Sequence, residues 1–257
     1  MRIALFTWES VHSIHVGGVA FHATELGCAL ERLGQRLGLM GYVGGVDYAG
    51  QTMTKSALQY IENHDHSSFV CNFGVIGHDK NELLNEGDRS QWFRVQPYLI
   101  ALLTAKGVPL LWQGQELGDN HYLPGDGLGR VAMLRPLRWD YFYDETGRSL
   151  IGLVRKLIAL RRRLPQFRSG NHYFHNDYDA TLSHGALLYT RELDGAWSLV
   201  ALNFTGSEVV VPFVFPRSGH YREELHGQDN LADIHSGQQT WLRLPSNYGR
   251  VWCWDKP

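Results

Sequence analysis

The sequence predicts an α/β segment followed by an all-β segment, on three observations. Short apolar runs with the look of buried parallel strands, at 2–7 (RIALFT), 58–62 (LQYIE) and 108–112 (VPLLW), alternate with helical periodicity as far as Pro165. Beyond Pro165 the pattern becomes short β-branched and aromatic runs near 186–191, 197–204, 208–215, 221–225, 239–244 and 250–254. These runs are separated by Asp194-Gly195, Thr205-Gly206, Ser218-Gly219 and Asn247–Gly249. An Asp-Gly pair between two such runs is a hairpin signal, and regularly spaced short strands suggest an antiparallel sandwich.

The elements follow in order. In the first 36 residues, strand 2–7 leads through the Gly-rich turn 15–19 (HVGGV) into a helix carrying Val19, Ala23, Leu26, Leu30 and Leu33, with Gly34 as its stop. Residues 38–57 read as a Gly-rich loop with a short helix near 51–58. The strand at 58–62 runs into Asn63-His64-Asp65, and 66–88 is a polar loop. A helix over 89–106 bends or restarts at Pro97, where the ring removes a backbone donor, and it ends at Gly107. The strand at 108–112 is followed by 113–120 (QGQELGDN), and 121–147 is a long loop holding Trp139, Tyr141, Phe142 and Tyr143. A helix over 149–164 has Ser149 as its cap, Leu150, Leu153, Leu157 and Leu164 on one side, and Arg161–Arg163 as a solvated, dipole-complementing end.

Composition narrows the function. Across 257 residues, 24 Lys+Arg stand against 26 Asp+Glu, which argues against a nucleic-acid or anionic-membrane surface. A 44% hydrophobic content is enough for a core, and 12% aromatic content supplies flat surfaces. Three cysteines, Cys28, Cys71 and Cys253, form neither a disulfide framework nor a zinc spacing. No cofactor or metal site is expected; His172, His175 and Asp177 read as an ordinary polar loop. No 18-residue apolar run and no leader peptide is legible, so a cytoplasmic location is expected.

Four segments together resemble glycoside hydrolase family 13, the α-amylase family. Glu62-Asn63-His64-Asp65 is similar to the family's motif after the seventh barrel strand. The stretch 107–116 (GVPLLWQGQE) is similar to its eighth-strand motif. Residues 157–165 (LIALRRRLP) resemble the following helix, and 135–140 (RPLRWD) the loop before it. The all-β tail, with 200–204 (VALNF), resembles the family's C-terminal sandwich. The resemblance covers about residues 50–257. Residues 1–36 instead resemble the start of a glycogen-synthase-like glycosyltransferase, so the chain reads as chimeric. The resemblance implies an incomplete β/α-barrel-like parallel sheet over 1–168 and a C-terminal β-sandwich over 169–257. A barrel needs about 250 residues, far more than precede the sandwich here. The sheet is therefore expected to keep open edges, which a homo-oligomer would cover.

The resemblance implies activity on starch-type α-1,4-glucans, but the family's nucleophile and general-acid segments have no counterpart here. A retaining glycosidase needs two carboxylates about the scissile bond. Asp65 resembles the family's auxiliary carboxylate and His64 the histidine that bonds the same sugar. Glu62 and Asp65 are three apart, which in a regular strand places them on opposite faces. Asp65 and Glu116 follow neighbouring strands and are the best remaining acid/base pair, with His64 as the third catalytic candidate. Asn63, Glu62, Trp112, Gln115, Trp139 and Tyr141 are the candidate substrate-binding residues. An α-glucan oligosaccharide or polysaccharide is the expected partner. A non-catalytic α-glucan-binding protein, and a fused or truncated product without activity, are the alternatives.

Overall fold

A computed structural model describes residues 58–77, 84–169, 171–175 and 177–255. The glycosyltransferase-like unit expected over 1–36 and the loop over 38–57 lie outside the described residues.

The expected strand at 58–62 pairs only over β1 (Leu58–Gln59), which runs parallel to β4 (Val108–Pro109). Leu110 extends the pairing by donating its amide to the Gln59 carbonyl at 2.8 Å. Pro109 has no amide to donate, so the ladder stays short. Between them, β2 (Val75–Ile76) and β3 (Glu86–Gly87) form a small antiparallel pair. Among the described residues no sheet closes on itself, so a barrel-like parallel sheet goes no further than the β1–β4 pair.

The predicted bent helix at 89–106 is a 3-10 turn (Arg89–Val95) continued by α1 (Gln96–Thr104), with Pro97 in the first α-helical turn, where its missing donor costs nothing. A short α2 (Gly127–Ala132) lies in the long loop. The next helix, α3 (Glu145–Arg163), starts four residues before the expected position. Its cap is Asp144 rather than Ser149: the Asp144 carboxylate accepts from the Gly147 amide at 2.7 Å. Leu150, Leu153, Leu157 and Leu160 line its buried face. The end of α3 is not simply solvated. Arg161 donates to the Leu103 and Ala105 carbonyls at 3.0 and 2.9 Å, so it caps the C-terminus of α1. A four-residue helix, α4 (Gln166–Ser169), follows.

The switch from helix to strand comes at β5 (Asn171–His175). Then follow β6 (Ala186–Leu193), β7 (Ala196–Asn203), β8 (Val209–Val214), β9 (Gly219–Glu223), β10 (Leu231–Ile234), β11 (Gln239–Leu244) and β12 (Tyr248–Asp255). The main sheet is antiparallel, ordered β10-β9-β12-β7-β6-β5, and β11-β8 forms a second, two-stranded sheet. Asp194 and Gly195 make the predicted hairpin turn, both at positive φ (50° and 83°).

Strand β7 explains the layering. Trp197, Leu199 and Ala201 face a cluster with Phe213 and Leu242 of the small sheet. Val200 and Leu202 face a second cluster with Leu99, Ile100, Leu153 and Leu157 of the helices. The main sheet is therefore covered on both faces, by strands on one and by α1 and α3 on the other. The hydrophobic core runs across the domain boundary expected at 168/169. Arg191, wholly buried, ties the layers by donating to the Thr104 carbonyl at 2.6 Å and the Phe167 carbonyl at 3.3 Å.

Candidate functional site

The chain leaves β1 and turns at Asn63–His66. The Asn63 side-chain oxygen accepts from the Asp65 amide at 2.8 Å and lies 2.6 Å from His66 Nδ1. Asn63 thus shapes the turn, an Asx geometry in which a short side chain replaces a backbone partner. The turn stands exposed, with His64 Nε2 3.3 Å from Asp65 Oδ2 and both side chains about half accessible.

Two arginines from the long loop hold this turn by its backbone. Arg135 donates to the carbonyls of His64 and His66, the latter at 2.9 Å. Arg130 donates to the Asp65 carbonyl at 2.8 Å and the Pro124 carbonyl at 3.0 Å. Trp112, half-buried, has its ring 6.0 Å from the His64 ring, and the Arg135 guanidinium lies 6.0 Å from the Trp112 centroid. Sequence reasoning assigned no role to Arg130; the signal was an arginine in a loop that must return to the strand ends.

Glu62 faces the opposite way. It is 2% exposed and accepts from the Phe69 amide. Burial pushes its carboxyl up from 4.5 to about 8; the Phe69 amide and Arg135 oppose this, and the charges of Asp119 and Glu116 add to it. Glu62 therefore offers a sugar almost no surface. The opposite facing of Glu62 and Asp65 matches the separation argument, although its cause is the turn rather than a continuing strand.

Glu116 sits in a 3-10 turn (Gln115–Leu117) between Gly114 (φ 84°) and Gly118 (φ 68°), half-buried. Glycine suits both flanks because the chain is left-handed there. Among the described residues no hydrogen bond or ion pair joins Asp65 to Glu116. Neighbouring Gln115 is 3% exposed, and among the described residues neither atom of its amide has a partner.

A polar network backs the turn. Ser68 donates to Asp119 at 2.9 Å, and His121 Nε2 lies 3.6 Å from the other Asp119 oxygen. Arg138 donates to Asn120 at 2.9 Å and to the Tyr141 hydroxyl at 2.7 Å, and it pairs with Glu86. The Tyr141 hydroxyl also donates to Asn120 at 2.9 Å, and the Arg89 guanidinium covers its ring at 3.6 Å. Tyr141 is thus a bound part of the network, with one ring face occupied. Arg89 further bonds the Gly118 and Leu117 carbonyls (2.9 and 2.8 Å) and pairs with Asp144. It locks the Glu116 turn to the start of α3. By contrast Trp139 is 66% exposed and Tyr143 74%, both open for stacking. Among the described residues no cluster of His, Cys, Asp or Glu is placed to hold a metal ion, and no helix is long and apolar enough to cross a membrane.

No family model matches the chain. One curated relative, a pullulanase of Bacillus subtilis (strain 168), is 28% identical over 118 residues, 44% of this chain and 14% of its own length. The fold is similar to that of an α-amylase from Geobacillus thermoleovorans complexed with acarbose, with a TM-score of 0.56 and 20% identity over 78% of this chain and 39% of that one. It is also similar to a maltogenic α-amylase, AmyB, from Thermotoga neapolitana, with a TM-score of 0.52 and 17% identity over 79% of this chain and 42% of that one. The chain thus spans less than half the length of these solved α-amylases. The fold of the described residues is similar to part of that of these α-amylases.

Proposed function

We propose that this chain is an α-glucan-active, amylase-type glycoside hydrolase that engages starch-type α-1,4-glucans at the Asn63–His66 turn. The observation that carries the reading is the exposed His64–Asp65 pair, set at the C-terminal end of a parallel strand pair by two arginines that grip its backbone. Ligands bind at that end of parallel strands in α/β folds. A carboxylate accepts sugar hydroxyls and an imidazole can donate to them, so the pair suits one glucose ring. Trp112 beside the pair and Trp139 on the loop add apolar surface for the ring faces. In this reading β1 and β4 are the last two strands of an incomplete barrel, and a second copy of the chain covers their open edges.

Hydrolysis requires a proton for the leaving oxygen and a nucleophile at the anomeric carbon. Asp65, exposed, takes the ionised role, as base toward water or as nucleophile. Glu116 takes the donor role. The glycosidic C–O bond breaks, water supplies hydroxyl to the anomeric carbon, and its proton restores the donor. Glu62 retains a proton to about pH 8 but is sealed behind the Phe69 amide, so it shapes the site without reaching a sugar. A second reading, glucan binding without turnover, is favoured by the lack in the sequence of any counterpart to the family's nucleophile and general-acid segments.

Reducing-sugar release from soluble starch separates the two readings. Release by the wild type that is abolished in Asp65→Asn and in Glu116→Gln supports hydrolysis. No release, together with retention on amylose that Asp65→Asn removes, leaves binding alone. Neither release nor retention overturns both.

A further inference from the structure

A second cleft, of about 590 Å³, lies between α3 and the strand-rich half, on residues that the Asp65 turn does not use. Arg148, Gly152 and Lys156 of α3 line it. Their spacing of four puts all three on one helix face, with the two cations about 12 Å apart along the axis, a gap that two long side chains can close over the glycine. A β-carbon built on Gly152 would meet nothing within 4 Å. Glycine in a helix interior costs about 1 kcal/mol relative to alanine. Among the described residues no atom fills the space that Gly152 leaves beside the cleft.

The charged residues that line the cleft are cations: Arg148, Lys156 and Arg250. Among the described residues no carboxylate lines the cleft, and neither Arg148 nor Lys156 makes an ion pair. Lys156 gives one hydrogen bond to the Leu225 carbonyl at 3.0 Å, which leaves two donors on its ammonium group. The nearby carboxylates are engaged, including Asp144, which feels the Arg148 charge but is bound by Arg89 and the Gly147 amide. Glu223 accepts from the amides of Leu225, His226 and Gly227 at 2.9, 2.8 and 3.1 Å, and Asp229 pairs with Arg250 at 2.5 Å. On the far wall the His226 ring bonds the Tyr248 hydroxyl at 2.8 Å. Burial, then the Lys156 charge and last that of Arg250, hold the His226 imidazole below its ordinary value, against the opposing charge of Glu223. Trp92 and Tyr248 supply aromatic surface, and Gln96 and Ser246 neutral polar groups. A bare anion needs no aromatic wall, and a neutral sugar needs no cation pair.

We propose that this cleft binds a phosphate-bearing sugar, its phosphate held between Arg148 and Lys156 and its ring lying over Gly152. The source is either a free sugar phosphate or a phosphorylated glucan, and the two share this chemistry.

The test is calorimetric titration of the full chain at low salt with a hexose 6-phosphate, the unphosphorylated hexose, inorganic phosphate, and a phosphorylated maltooligosaccharide. The expected result is saturable binding of the hexose phosphate with none of the plain hexose. Arg148→Gln weakens it about 5–10-fold, the loss of one Coulombic contact near the surface. Gly152→Leu abolishes it while thermal stability holds or rises, because leucine is the better helix former and its β-carbon meets nothing within 4 Å among the described residues. Tighter binding of the phosphorylated oligosaccharide assigns the site to a polymer, and equal or weaker binding to a free metabolite; either supports the proposal. It is overturned if Gly152→Leu binds like the wild type, if plain hexose binds as tightly as its phosphate, or if inorganic phosphate alone binds as tightly.

Discussion

Glu62→Gln tests the burial of the most perturbed carboxyl in the site. The folded chain holds this proton up to about pH 8, against an ordinary value of 4.5. The sign follows from linkage. A carboxyl raised by folding contributes its full stability below the unfolded value, and that stability is lost as pH climbs toward the folded one. Between pH 4.5 and 8 the folded state therefore weakens by about 1.4 kcal/mol per pH unit from this group alone, or on the order of 3 kcal/mol by pH 7. For a chain of this size that is a fall in melting temperature of roughly 6–12 °C. Glutamine keeps the acceptor for the Phe69 amide and removes the titration. Thermal melts from pH 4.5 to 8.5 should show a steep decline in the wild type and a flatter curve in Glu62→Gln, the variant being the more stable above pH 7. Parallel curves for the two proteins would refute the burial argument.

Other consequences follow from the same geometry. Asp144→Ala removes the α3 cap and the Arg89 partner, and should cost about 1–2 kcal/mol, read by denaturant unfolding. Leu157→Ala, at a fully buried position facing α1, should cost about 2–5 kcal/mol by the same method. Gln115→Leu replaces a buried amide without partners among the described residues and should leave stability unchanged or raise it by about 1 kcal/mol, unlike most core polar changes. Arg135→Ala frees the His64 and His66 carbonyls, so glucan retention on amylose should fall several-fold with only a modest change in melting temperature.

Local chemistry was the legible part of this fold. The Asp194-Gly195 hairpin, the helix restart at Pro97 and the leucine face of α3 each rest on a residue whose backbone preference or period acts within one turn. Less legible was whatever depends on partners distant in the chain. Residues 58–62 and 108–112 have the apolar character of long buried strands, yet pair for two residues each. Asp144, the cap of α3, also bonds Arg89, 55 residues away, a contact no local pattern shows. Strands β5 and β10 were missed: β5 is an edge strand with two histidines, and β10 is broken by a register shift between Leu231 and Ile234. In the site, the motif that carries Asp65 and His64 was readable as a block. The division of its labour was not: Asn63 builds the turn, Glu62 is sealed, and the arginines that hold the turn come from a loop with no period to betray them.

The central claim is that the Asn63–His66 turn holds an α-glucan. Calorimetric titration of a linear maltooligosaccharide into the wild type, Asp65→Ala and His64→Ala tests it most directly. Both side chains are half exposed, so neither substitution should move the melting temperature by more than a degree or two. The account predicts saturable binding by the wild type and at least a tenfold loss in each variant, about 1.5–3 kcal/mol for a hydrogen bond to a charged group. Wild-type affinity retained in both variants would contradict it.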